Sequence, residues 1–86
     1  MPGVDDVKLH IAASVDDVER AVVGMRAVIE RLDEALSRLR MATAGSVHPR
    51  VIEAIGQVEQ ARHKVEEAQT VALAGSRAAQ SYRGVI

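Results

Sequence analysis

Three histidines (His10, His48 and His63) and four adjacent pairs of acids are the residues of this sequence best equipped for chemistry. Converging imidazoles and carboxylates would suit a metal, and facing carboxylates would suit acid–base work. The pairs are Asp5-Asp6, Asp16-Asp17, Asp33-Glu34 and Glu66-Glu67. Neighbouring residues on a helix diverge by about 100°, so such pairs point apart and make solvated faces. The histidines are spread as widely. In the seven-residue frame developed below His10 falls at g, His48 between the helices and His63 at f, which makes each a solvated or capping side chain.

A ferritin-like carboxylate site needs Glu-x-x-His on one helix and a Glu from a neighbour. Here the residue three before His63 is Gln60, and the nearest acid on the other helix, Glu30, also falls at f. No serine is spaced with a base, and Ala44-Gly45-Ser46 ends a helix with no strand before it, unlike a phosphate loop. The sequence therefore predicts no catalytic residue, no metal ligand and no cofactor, hence a protein that is not an enzyme.

The elements must then account for what the side chains do. Eighty-six residues allow one domain, spanning 1–86. A chain this short needs very regular packing or a second copy. Cys, Phe and Trp are absent and Tyr82 is the only aromatic, leaving Ala, Val, Leu, Ile and Met to build a core. The formal net charge is −1 with signs interspersed, which argues against nucleic-acid or anionic-membrane partners. No stretch reaches the ~18–20 apolar residues of a membrane span. The start, Met1-Pro2-Gly3-Val4-Asp5-Asp6, lacks the features of a signal peptide, so a cytoplasmic location is expected; leaderless export has no motif in its support. Nine Arg against two Lys, with abundant Ala, suggest a GC-rich bacterial genome.

The apolar residues recur every seven. Val4, Ile11, Val18, Met25, Leu32 and Leu39 define position a, and Val7, Ser14, Ala21, Val28, Ala35 and Ala42 position d. A sustained heptad marks helices that wind around a neighbour. The pattern breaks at residues 44–48, where Gly45 suits a C-cap and Pro49 the first turn of a new helix. It resumes with Val51, Val58, Val65, Ala72, Ala79 and Ile86 at a, and Ala54, Ala61, Ala68, Gly75 and Tyr82 at d.

The two arrays mirror about the turn: facing a residues have numbers that sum to 90, from Leu39 with Val51 out to Val4 with Ile86. The sequence thus predicts an all-α, antiparallel, coiled-coil-like two-helix hairpin. Helix 1 covers about 4–43, the turn 44–48 and helix 2 about 49–83. Ser14 and Gly75 fall opposite each other as a shared weak point, where continuous helices are favoured over a separate pair of arms. Tyr82 is expected to cover the open end against Val7.

Position e carries a further row on helix 1: Val15, Val22, Ile29 and Leu36, with Val23 beside it. On helix 2 the same position is mostly polar: Ile55, Arg62, Gln69, Ser76 and Arg83. The row on helix 1 is either the flank of the hairpin's own core or a surface for another helix. Two helices rarely shield so wide a stripe, so the sequence favours the second. Val15, Val22, Val23, Ile29 and Leu36 are the predicted interface. The simplest partner is a second copy, giving a four-helix bundle; the alternatives are a helix of a larger protein or a coiled-coil assembly.

Gly45-Ser46-Val47-His48-Pro49-Arg50-Val51-Ile52-Glu53-Ala54, then Ala61-Arg62-His63-Lys64-Val65-Glu66-Glu67-Ala68 and the late Tyr82, resemble short actinobacterial helical-hairpin proteins related to N-terminal modules of polymorphic toxins. More distantly, size and shape are similar to the WXG100 proteins of type VII secretion. Ala44-Gly45-Ser46 stands where that family has Trp-x-Gly, and four residues after Tyr82 comes Ile86 in place of the acid of its export motif. The resemblance implies a small accessory or adaptor that pairs with a helical segment of a larger partner.

Overall fold

A computed structural model describes residues 3–86. Its two helices, α1 (Val4–Ala42) and α2 (Pro49–Val85), fold back on each other as an antiparallel hairpin. The body measures 63 × 19 × 16 Å. The radius of gyration, 19.4 Å, is well above the ~12 Å of a compact domain of this length.

The helix ends follow from local chemistry. Gly3 precedes α1, and its N–H donates to the Asp6 carboxylate at 3.3 Å. Glycine has no side chain to complete a capping box, so only the reciprocal half forms. Asp5 and Asp6 meet the positive end of the helix dipole. Thr43, not Gly45, is the C-cap of α1, and both its N–H and its hydroxyl donate to the Leu39 carbonyl. Gly45 lies two residues further on, within a turn closed by Ser46 N–H to the Thr43 carbonyl (2.9 Å), where its φ of +80° requires a residue without Cβ. His48 caps α2: its Nδ1 accepts from the Arg50 N–H at 3.1 Å while Pro49 takes the first helical position. Ser46 assists one step earlier, accepting from the His48 N–H at 3.4 Å.

Both helices run unbroken, α1 through Ser14 and α2 through Gly75. α2 also continues past residue 83 to Val85, since Gly84 in a terminal turn costs too little to stop it.

The seam between the helices lies elsewhere than the a/d frame places it. The buried apolar residues are Val15, Val22 and Leu36, at 7, 6 and 3 % exposure, all from position e. Ile29 of the same row is half-buried, as are Ile11, Val18, Met25, Leu32 and Leu39 at a. Positions a and e alternate by four and three residues, so together they make as regular a stripe as a and d. The row predicted as an intermolecular interface is therefore the hairpin's own core. The physical reason is bulk: Val15, Val22, Ile29 and Leu36 remove more apolar area from water than Ser14, Ala21, Val28 and Ala35. Val23 points the other way and stays 62 % exposed on the outer side of α1.

α2 turns its own e row inward to match, although that row is polar. Ser76 is buried. Gln69 donates to the Val22 carbonyl at 3.4 Å, and the stem of Arg62 crosses the seam so that its head reaches the edge. Near the turn the inward positions are bulky: Leu36 is buried, and Leu39, Val51 and Ile55 are half-buried. Toward the open end Val15 and Val18 meet Ala72, Ser76 and Ala79, which with Ser14 and Gly75 leave an apolar hollow of about 230 Å³.

Candidate interaction surface

Antiparallel helices that bury equivalent positions also set their flanking rows side by side, b beside b and d beside d. The hairpin thus has two long faces of different chemistry.

On the b face Arg40 Nη2 donates to Glu59 Oε1 at 2.7 Å between the helices. Arg62 forks onto Asp33, with Nε to Oδ1 and Nη2 to Oδ2 (3.2 Å), and also reaches Glu66. The Arg62 hydrogen bonds hold the Asp33 carboxyl below its ordinary value of 3.8. Asp33 in turn raises the Arg62 guanidinium. These pairs are half-exposed, so they set register more than they stabilise.

The d face carries no charge. α1 contributes Val7, Ser14, Ala21, Val28, Ala35 and Ala42, and α2 contributes Ala54, Ala61, Ala68, Gly75 and Tyr82. Ser14 and Gly75 line one hollow, which places the two rows on a common side. Most of these residues are exposed, including Val28 at 44 % and Tyr82 at 54 %. Tyr82 lies on this face, level with Val7 near the open end, and Val7 is half-buried. The chain presents a smooth uncharged strip along its whole length.

The a/d frame of the sequence places this strip in the hairpin's interior. The signal that would have found it is the contrast on α1 between a bulky e row and an Ala/Ser-rich d row, with the bulkier one going inside. Of the predicted interface residues, Val15, Val22 and Leu36 are buried within the hairpin, Ile29 is half-buried in the same row, and Val23 stands apart on the outside.

The chemistry-bearing residues do not converge. His48 is spent on its cap, and His63 Nε2 lies 2.8 Å from Glu67 Oε1, one turn along the same helix. Among the described residues no three His, Asp or Glu side chains approach one another closely enough to hold a metal ion. A wider depression on α1 is lined by Asp16, Glu19, Arg20 and Val23, all from one helix. Among the described residues no helix is long and apolar enough to cross a membrane.

Comparison with known proteins adds no relative: no family model, no curated protein and no solved structure matches the chain.

Proposed function

We propose that the chain is a non-catalytic helical interaction module that works through its d face, pairing with a second copy into an antiparallel four-helix bundle. The observation that carries this reading is the uncharged strip of Ala21, Val28, Ala61 and Ala68, which lies outside the hairpin's own seam. Small side chains let helices approach to the close end of the ~8–10 Å spacing, where dispersion contacts between backbones become extensive.

Surface area supports it. A compact monomer of 9.2 kDa exposes about 4,900 Å² by the usual scaling, whereas this chain exposes 6457 Å². The excess, about 1,500 Å², is of the size that a lasting homodimer buries per chain. An adaptor role toward a helix of a larger, toxin-like partner would use the same strip, with that helix replacing the second copy. The open, uncharged and mostly small lining of the strip fits contact with another helix.

The test compares one added charge on each face. Ala68→Glu lies on the d face and Gln80→Glu on the b face, both at exposed positions. Light scattering after size exclusion is expected to give a monomer for Ala68→Glu and a dimer for Gln80→Glu, with equal helicity by circular dichroism. Equal masses for the two variants would overturn the assignment.

A further inference from the structure

The strip's flanking charges say how a second copy must sit. Row g borders the d face on its outer edges. On α1 it reads His10, Asp17, Gly24, Arg31, Arg38, and on α2 Arg50, Gln57, Lys64, Val71, Ala78, Val85. Asp17 and Arg31 are each one heptad from Gly24, on opposite sides. Both are exposed, and Asp17 has only a loose contact with Arg20 at 4.0 Å. Arg31 takes part in none of the salt bridges among the described residues.

Two hairpins can meet d face to d face with their turns at the same end or at opposite ends. With turns together, α1 lies on the partner's α2 at matching levels. That sets Arg38 beside Arg50 twice, and Asp17 beside the uncharged Val71. With turns apart, α1 lies antiparallel on the partner's α1. An axis at the level of Gly24 then brings Asp17 against the partner's Arg31 twice over.

That axis passes through the middle of α1 (Val4–Ala42), so the two faces overlap along nearly their full length. It also interleaves Ala21 with the partner's Val28. One like-charge approach remains, between the two Lys64 side chains near the axis, whose long stems can carry their heads outward.

Gly24 sits at the centre of this charge pattern. A glycine inside a helix costs ~1 kcal/mol relative to alanine, and a Cβ added there, as at the other helical glycines, meets no atom within 4 Å. Its place at the midpoint of the charge pattern fits a close approach by another chain.

We infer that two copies associate through their d faces with turns at opposite ends, on a two-fold axis at the level of Gly24, each Asp17 paired with the partner's Arg31. This rests on the self-pairing proposed above and adds its orientation and register.

The test is a charge swap. Asp17→Arg alone and Arg31→Asp alone each turn two exposed ion pairs into repulsions and are expected to weaken dimerisation about tenfold. The double variant D17R/R31D is expected to restore it. Because the chain has no cysteine, a single Ser46→Cys spin label reports the distance between turns. Turns apart give a separation on the order of the 63 Å body, while turns together give roughly 20 Å, about two interhelical spacings. A dimer that the double variant fails to restore, or whose labels lie at the short distance, would overturn this arrangement and leave self-pairing standing. A wild-type monomer would overturn both.

Discussion

The two long faces of the hairpin carry rows of equal length at equal angles from the seam, yet they differ in almost every respect. The b face is charged and tied across by Arg40–Glu59 and Asp33–Arg62. The d face is uncharged, built from Ala, Ser, Gly and Val with one Tyr, and has no ion pair across it. A charged rim satisfied within one chain is finished as a surface: water solvates it and its ion pairs fix the register. An uncharged strip of small residues gains nothing from water and costs little to cover. The difference teaches that the molecule has one side suited to solvent and one suited to another helix.

The largest effect expected lies beneath both faces. Leu36, at 3 % exposure, is the most buried of the core residues. Leu36→Ala should cost ~2–5 kcal/mol by lost transfer and cavity energy, seen as a lower urea midpoint. A change below ~1 kcal/mol would mean that the e row is not the core and that the two faces have been assigned the wrong way round.

Gly24→Ala sharpens the contrast from the d side. At concentrations where the chain is monomeric, alanine should raise stability by up to ~1 kcal/mol through helix propensity. At concentrations where it self-associates the same methyl should weaken pairing, because it occupies the line of closest approach. A variant stabilised equally at both concentrations would show that this edge meets no other chain.

On the b face the expected effect is smaller and depends on pH. The Asp33 carboxyl has a folded pKa below its ordinary 3.8 because Arg62 bonds its charged form. Its contribution is therefore complete above that ordinary value and is lost as pH falls through the lowered folded value. Thermal midpoints should drop between about pH 5 and pH 2 in the wild type and drop less in Asp33→Asn. Parallel curves would show that the Asp33–Arg62 fork contributes nothing in solution.

How much of this was legible beforehand divides along physical lines. The hairpin was legible because its signals are local or periodic: a seven-residue repeat, a Gly/Pro break and mirrored spacing. The facing of a residues also follows from turn position, as the Gln69–Val22 bond and the shared hollow of Ser14 and Gly75 illustrate. The face that buries was harder. A heptad defined by a alone is completed equally by d or by e, and α2 argues for d with three alanines while α1 argues for e with Val15, Val22, Ile29 and Leu36. The conflict is settled by burial energy summed over both helices. Arg62 and Gln69 of the e row on α2 escape penalty because Asp33, Glu66 and the Val22 carbonyl lie within their reach. Asp33 and the Val22 carbonyl are far away in sequence and could not be paired by periodicity. The bulky row that the sequence favours for an outside helix is therefore the one the hairpin buries, and the small row is left open.

The central claim is that the open d face is covered by a second copy. Sedimentation equilibrium on the unmodified chain across the micromolar range tests it most directly. The account predicts a mass of twice 9.2 kDa that dissociates only on dilution. A mass of 9.2 kDa at every concentration would contradict it.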